Sequence, residues 1–290
     1  MNLFAGLEKF GFQKTEDVDL FAGKKESVKE EPEKAEIETE EKAVEIPPEE
    51  QFLLNKSIRC VVCDRTFSTK AVKAGRVRRM EPDMDLRPRH QYVDTLKYGV
   101  SSCPHCGYTS LNRYFEHITS GQIRLIREQV CSSFEAGSLD LPVTYDYDQA
   151  IDMHKLALLN AVVKRARNSE KAYNCLILSW LLRTKIEQLE QEHPEQTEQI
   201  AACKEEEETF YQQAYDGMLA AVSSEMFPIC GMDQVTMDYL LAVMSYHFKK
   251  YDVASKTLAN VITSSVASRK MKDKALELKD EIIKELKKKK

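Results

Sequence analysis

Four of the eight cysteines stand in two pairs, and the members of each pair are separated by two residues. The pairs are Cys60-Val61-Val62-Cys63 and Cys103-Pro104-His105-Cys106. This spacing directs both sulfurs of a pair toward one point, so two pairs supply the four thiolates that a tetrahedral Zn²⁺ ion prefers. Because four protein ligands leave no position for water, the sequence predicts one structural zinc ion, held by Cys60, Cys63, Cys103 and Cys106.

The residues around each pair favour the same interpretation. Pro104 presets the φ angle of its turn, and Gly107 suits the left-handed conformation that follows the second thiolate. Asp64 takes the equivalent place after the first pair and tolerates that conformation better than most residues. A thiol redox function is the alternative, because Cys-Pro-His-Cys is also an active-site motif of disulfide oxidoreductases. That function requires a helix N-terminus in a thioredoxin-like fold, whereas strand-like and turn-like sequence surrounds the motif here.

Composition limits the compartment and the kind of partner. The net charge is −5, and the chain begins without the basic and apolar regions of a secretory signal. The longest apolar run, residues 175–182, is interrupted by Ser179 and is far shorter than the ~20 residues that cross a bilayer. We therefore expect a cytoplasmic protein without a membrane span, whose thiols stay reduced.

Charge divides the first hundred residues into an acidic and a basic part. Residues 24–51 contain eleven Glu and five Lys with no aromatic residue, so we predict a disordered linker there. Residues 56–100 contain eleven Lys and Arg against five Asp and Glu. Together with the cysteine pairs, these boundaries predict a tail at 1–51, a zinc-ribbon-like module at 52–118 and a helical domain at 119–290.

Two short apolar motifs lie in the tail. Leu3, Leu7 and Phe10 follow helical spacing, and the tetrapeptide Leu-Phe-Ala-Gly of residues 3–6 recurs at residues 20–23. These motifs are either docking peptides for a partner or a short helix that lies on the chain's own body.

The segment between the cysteine pairs is rich in arginine and contains two tyrosines, Tyr92 and Tyr98. A basic surface with aromatic side chains can bind phosphates and stack bases. The alternative, which the acidic net charge favours, is that these arginines pair with Asp83, Asp85 or the acidic linker. The candidate nucleic-acid contacts are Arg76, Arg78, Arg79, Arg87 and Arg89.

The same segment is expected to contain short strands at residues 75–78 and 97–100. Asp83 and Asp85, with His90 nearby, also suggest a second metal site or acid–base chemistry. Carboxylates two residues apart are more often turn formers, and we favour that interpretation.

After Leu111 the hydrophobic pattern becomes helical, and we predict six or seven helices joined by short loops. Ser169 is the expected N-cap of one helix, which His193-Pro194 should end. Cys230, Gly231 and Asp233 lie in a loop that is expected to cap the next helix. Residues 238–262 are similar to a tetratricopeptide repeat at Leu241, Ala242, Tyr251, Ala254 and Leu258. The predicted fold is therefore mostly α with a small β zinc-ribbon-like module and tetratricopeptide-like helix pairs.

Together these motifs resemble a bacterial family of unknown function, catalogued as domain of unknown function 2225 and found chiefly in Firmicutes. The resemblance covers roughly residues 52–290. It implies a zinc-ribbon-like module followed by tetratricopeptide-like helices in the cytosol, and it implies no activity. It rests on Cys60-x-x-Cys63, Asp83-x-Asp85-x-Arg87-Pro88, Tyr92, Cys103-Pro104-His105-Cys106-Gly107-Tyr108 and Pro228-Ile229-Cys230-Gly231-Met232-Asp233.

The sequence contains no cluster of catalytic residues, so the leading hypothesis is a non-enzymatic adaptor whose helices form a groove for a protein or peptide. Nucleic-acid binding through the basic surface is the second hypothesis. Thiol redox chemistry at Cys103 and Cys106 is the third.

Overall fold

The computed structural model describes residues 6–11, 47–139 and 142–288. Within them the chain forms two β-hairpins followed by seven α-helices, which confirms the prediction of a mostly helical fold with a small strand module. The strands are β1 Leu53–Arg59, β2 Thr66–Val72, β3 Val100–Ser102 and β4 Thr109–Leu111. The helices are α1 Ser120–Ile126, α2 Tyr147–Val163, α3 Asn168–Glu192, α4 Thr197–Ser224, α5 Gln234–His247, α6 Tyr251–Thr263 and α7 Arg269–Lys288.

Each hairpin carries one cysteine pair at its tip. β1 pairs with β2 antiparallel, with Arg59 opposite Thr66, and β3 pairs with β4 antiparallel, with Ser102 opposite Thr109. The strands predicted at residues 75–78 and 97–100 are wrong, because Ala74–Arg76 and Thr95–Tyr98 form 3₁₀ turns. The turn around each cysteine pair reverses the chain. The residues before and after each turn therefore lie side by side and pair as antiparallel strands.

The main hydrophobic core lies between the hairpins and helices α2 to α4. Helix α2 packs against β3 and β4 on one side and against α3 on the other, and α3 packs along α4. Leu176, Ile177, Trp180 and Leu181 recur at helical spacing along α3 and are buried, with Leu176 and Leu181 fully inaccessible. None of the helices in the described part of the chain combines the length and the hydropathy that crossing a bilayer requires.

Two features of α3 concern its ends. The helix ends at Glu192 with His193 as its C-cap, as predicted. It begins two residues earlier than predicted, with Arg167 at the N-cap position in place of Ser169. Ser169 does not cap the helix, because its backbone N–H and its hydroxyl both donate to the carboxylate of Glu225, at 2.9 and 2.6 Å.

Helices α5, α6 and α7 enclose a second, smaller core. Ala254, Leu258 and Val261 on α6 are buried against Tyr239 and Ala242 of α5 and against one face of α7. Helices α5 and α6 are joined by residues 248–250 alone. Their packing is that of consecutive helices, and the tetratricopeptide-like character of the pair stays a prediction.

The tail contributes one described turn to the body. Leu7–Phe10 form a 3₁₀ turn whose Leu7 and Phe10 side chains are buried, and the Phe10 ring lies 6.4 Å from that of Phe134. These residues therefore lie on the chain's own body, which was one of the two alternatives. Leu3, the repeat at residues 20–23 and residues 24–46 of the predicted linker lie outside the described residues.

The end of the predicted linker belongs to the folded body. Glu49–Phe52 form a 3₁₀ turn that leads directly into β1. The Glu49 carboxylate accepts hydrogen bonds from the Lys97 amine at 2.7 Å and from the Tyr98 hydroxyl at 3.0 Å. This pairing orders residues that composition alone assigns to a disordered segment.

Candidate metal centre and adjoining cleft

The two cysteine turns have the same backbone geometry. In the first, the Cys60 N–H donates to the Arg65 carbonyl and the Asp64 N–H donates to the Cys60 carbonyl, both at 2.9 Å. In the second, the Cys103 N–H donates to the Tyr108 carbonyl at 2.9 Å and the Gly107 N–H to the Cys103 carbonyl at 3.0 Å. The two hairpin tips are thus equivalent halves of one centre.

The residue after each second cysteine adopts the expected left-handed conformation. Asp64 has a φ angle of 67° and Gly107 one of 73°. At Gly107 a side chain is excluded as well, because a Cβ atom there would lie 2.5 Å from the ring of Phe134. The glycine therefore satisfies both the turn and the close packing of the residues that follow α1.

The four sulfurs of the two turns converge. The Sγ atoms of Cys60 and Cys106 are 3.7 Å apart, those of Cys63 and Cys103 are 3.6 Å apart, and all four lie within 4.8 Å of one another. A tetrahedral ion with bonds of about 2.3 Å to sulfur sets its ligands about 3.8 Å apart. The four cysteines that the sequence pairs can therefore hold one metal ion.

Electrostatics within the cluster favour a bound cation. Hydrogen bonds from the Cys103 and Cys106 thiols lower the pKa of Cys60, whereas the contact with Cys103 raises the pKa of Cys106. One thiolate formed in this cluster thus opposes ionisation of its neighbours. A divalent cation at the centre removes that opposition and stabilises all four sulfurs as ligands.

Both cysteine turns are attached to the helices. Nε and Nη2 of Arg127 donate to the Val62 carbonyl, at 3.0 and 2.5 Å, within the first turn. Nδ2 of Asn160, on α2, donates to the Gly107 carbonyl at 3.2 Å beside the second turn. These hydrogen bonds fix the position of the two cysteine turns relative to the helices.

A fifth cysteine lies next to the centre, and sequence reasoning did not find it. Arg127–Cys131 form a π-helical turn that continues α1. This turn brings the Cys131 thiol beside that of Cys106, and the two thiols interact. Because 24 residues lie between Cys106 and Cys131 and the extra residue of a π-turn has no sequence signature, spacing arguments treat Cys131 as an isolated small hydrophobic residue.

The five candidate arginines fall into two groups. Arg87 is only 2% exposed and pairs with Asp83 and Glu187, and Arg89 pairs with the same two carboxylates at 2.9 Å. Although burial raises the pKa of Glu187, these two arginines lower it overall. The other group is Arg76, Arg78 and Arg79, which are exposed and form no ion pair with the residues that the structure describes.

Asp85 anchors its loop to the helices, whereas Asp83 pairs with arginines of the loop itself. Asp85 is 3% exposed, and its Oδ2 accepts from Nε1 of Trp180 at 2.9 Å and from Nη1 of Arg183 at 2.7 Å. Arg183 also donates to Glu207 of α4. Asp85 thus links the loop to α3 and, through Arg183, to α4. Asp83 is half-buried and pairs with Arg87 and Arg89, and His90 lies outside both sets of contacts.

A cleft of about 910 Å³ separates the hairpin region from the helices. One wall comes from Glu49, Tyr92 and Lys97. The other wall and floor come from the segment before α2, from α2 itself and from the end of α3, and they include Tyr145, Asp146, Tyr147, Gln149, Gln188 and Glu192. The cleft is thus shared by the two predicted modules.

The loop before α5 is closed by hydrogen bonds. Asp233 is the N-cap of α5, and its Oδ1 accepts from the Thr236 N–H at 2.8 Å. The Cys230 thiol donates to the Ser169 carbonyl at 3.2 Å, and burial raises its pKa. Gly231 has a φ angle of 77°, where a side chain would be strained. Cys230 is therefore a buried, poorly ionised thiol.

Comparison with protein families assigns the chain to a known family. Residues 53–282 match the family described as "Uncharacterized protein conserved in bacteria (DUF2225)". The match covers most of the chain, so this protein belongs to that family, as the cysteine and loop motifs indicate. Comparisons with curated proteins and with solved structures give no match.

Proposed function

We propose that this protein is a non-enzymatic, zinc-braced adaptor that binds a peptide or a protein segment in the cleft between the hairpin region and the helices. The observation that carries the proposal is the cleft itself, which is built by both modules and lined by tyrosine, amide and carboxylate side chains. Such a surface offers apolar contact area together with hydrogen-bond partners for an extended backbone.

Zinc is the ion that best suits the centre. Four thiolates at tetrahedral spacing are soft ligands, which select Zn²⁺ over the hard cations Mg²⁺ and Ca²⁺. A shell closed by protein sulfur leaves no position for a substrate, so the ion acts as a structural element. A catalytic thiol at Cys103 is disfavoured because its turn lies between β3 and β4 and not at the start of a helix.

The ion supports the cleft through the second hairpin. The 3₁₀ turn Thr95–Tyr98, which supplies Lys97 to the cleft wall, is followed directly by β3. Helix α2, which forms another wall, packs on β3 and β4. Crosslinking the two hairpin tips therefore fixes the separation of the cleft walls.

The adaptor function predicts that a substitution inside the cleft abolishes capture of a partner. Gln188 lines the cleft, whereas Gln191 is an exposed residue of the same helix outside it. Native purification of the full chain with mass spectrometry should recover a defined protein with the wild type and with Gln191→Arg. Gln188→Arg should lose it, because a longer, charged side chain would project into the cleft and obstruct the partner. Recovery of the same protein by both variants, or of none by the wild type, contradicts the proposal.

A second candidate function, nucleic-acid binding, is favoured by one observation. Arg76, Arg78 and Arg79 are exposed and unpaired among the described residues, and Gln91 is hydrogen-bonded to the Arg78 carbonyl next to the exposed Tyr92. Three free guanidinium groups beside an aromatic ring suit a single-stranded phosphate backbone.

Salt dependence tests this second function. We expect the logarithm of the affinity for single-stranded RNA to fall with the logarithm of salt concentration. Replacing the three arginines with alanine should make that slope shallower by about 2 to 3, since each phosphate contact contributes roughly 0.7 to 0.9. The matched control replaces three exposed lysines of α7, Lys284, Lys287 and Lys288. An equal slope for the wild type and the arginine variant rejects this function.

A further inference from the structure

A second cavity of about 280 Å³, here called the recess, adjoins the cleft. Glu49, Tyr92, Lys97 and Tyr147 line both cavities. Asp94 and His90 line only the recess. This size suits one long side chain of a bound peptide better than a folded element.

The charges that line the recess do not balance. Arg89 is neutralised by Asp83 and Glu187, and Lys97 is neutralised by Glu49. Asp94 forms no ion pair with any residue in the described ranges. Its Oδ1 accepts from the Leu96 N–H at 2.9 Å and its Oδ2 accepts from the Tyr147 hydroxyl at 3.3 Å. Lys97 and Arg87 attract Asp94 only from a distance, since each is paired directly with another carboxylate.

The neighbouring histidine does not supply that counter-charge. Nδ1 of His90 lies 3.2 Å from the Thr95 hydroxyl, and burial lowers the pKa of His90. The imidazole is therefore neutral near pH 7, and it does not repel a cation that enters the recess. Burial also raises the pKa of Asp94, and the more distant charges of Lys97 and Arg87 offset this effect only in part.

Aromatic rings form the approach to Asp94. Tyr92 is 38% exposed, its ring lies 6.0 Å from that of Phe52, and its backbone adopts a φ angle of 69°. The left-handed region is unfavourable for tyrosine, so the fold holds this ring in place against a local preference. Tyr147 borders both the recess and the cleft. Rings in such positions pack along the stem of a long cationic side chain.

We propose that the recess binds a lysine or arginine side chain of the peptide that occupies the cleft, with its charged end paired to Asp94. This assignment rests on the proposed adaptor function and specifies the chemistry of its partner. The exposed Asp146 and Glu192 at the edge of the cleft add negative charge around the same entrance. The expected partner is thus a segment with one buried basic residue and no acidic residue beside it.

Selection from a random peptide library tests the proposal. Phage that display 12-residue peptides are selected on the full-length, zinc-loaded chain. We expect the recovered peptides to share one position occupied by lysine or arginine. For a synthetic peptide of this group, replacing that residue with norleucine should weaken binding by about tenfold or more, as loss of a buried charge pair does.

The variant Asp94→Asn tests whether the Asp94 carboxylate is the group that pairs with the cationic side chain of the peptide. Asparagine keeps an oxygen for the Leu96 N–H and is an equally good cap, so the fold is retained, as an unchanged melting temperature would verify. This variant should bind the lysine and norleucine peptides equally. Asp148→Asn, an exposed substitution on α2 outside both cavities, should retain the full preference for lysine.

The possible outcomes separate the two proposals. Recovered peptides without a common basic position overturn the role of the recess and leave the adaptor function standing. A lysine preference that survives Asp94→Asn overturns the assignment to Asp94. A selection that yields no peptide whose binding is lost in Gln188→Arg overturns the adaptor function, and the recess assignment with it.

Discussion

Replacing Cys60 with alanine is expected to abolish stoichiometric zinc binding and to destabilise the whole hairpin region. Three cysteines do not close the tetrahedral shell, and the binding free energy of a structural ion is also folding free energy. An ion present at about a thousand times its dissociation constant contributes ~4 kcal/mol, and we expect at least that loss in the free energy of unfolding. Metal analysis by mass spectrometry and urea unfolding measure the two effects.

Cys203→Ala is the matched control for this prediction. Cys203 is also buried, but it lies on α4 and is not part of the sulfur cluster. Its replacement should leave one zinc ion per chain and cost about 1 kcal/mol, the usual result of deleting a small buried group. One equivalent of zinc and unaltered stability in Cys60→Ala would show that the four sulfurs do not form the metal centre.

The convergence of the four cysteines was predictable because the sequence signals for each turn are local. Two residues between cysteines determine each turn, and Asp64 and Gly107 are suited to the left-handed positions that the structure gives them. The two turns are distant in sequence, since Cys63 and Cys103 are 40 positions apart. Only the prediction that they meet in space required an argument beyond local sequence. The preference of a metal ion for four sulfurs supplied that step without any knowledge of the fold.

The cleft and the recess were not predictable for the opposite reason. Asp94 and Tyr147 are 53 residues apart, and each is unremarkable in its own sequence context. Nothing in the sequence around Asp94 shows that Arg89 and Lys97 are already paired with other carboxylates. The charge that remains on Asp94 depends on all these pairs together, so it is a property of the folded chain alone.

The arginine-rich segment shows that composition does not identify which arginines are free to bind a partner. Arg87 and Arg89 contribute to the basic composition of this segment, yet the fold directs them toward Glu187 on α3. Pairing with Asp83 was among the sequence-based alternatives, whereas Glu187 is about a hundred residues away and could not be identified. An arginine that is free to bind a partner can be recognised only once the carboxylates that pair with the neighbouring arginines are known.

The second large effect is expected from Asp85→Ala. The substitution leaves the indole N–H of Trp180 without its acceptor and removes one of the two carboxylates that compensate Arg183. Breaking a buried charge network from one side typically costs about 3 to 5 kcal/mol. Because Arg183 is partly exposed and keeps Glu207, we expect the lower end, about 3 kcal/mol, measured by urea unfolding.

An exposed carboxylate of the same loop supplies the control. Glu81 pairs with Lys270 and Lys274 on the surface, and Glu81→Ala should change the stability very little because solvent screens such pairs. The loop that Asp85 anchors continues into Tyr92 and Asp94, so Asp85→Ala should also lose the lysine preference of the recess. Asp94→Asn, in contrast, should lose that preference at unchanged stability. Equal stability losses for Asp85→Ala and Glu81→Ala would show that the loop is held by something other than its buried contacts with α3.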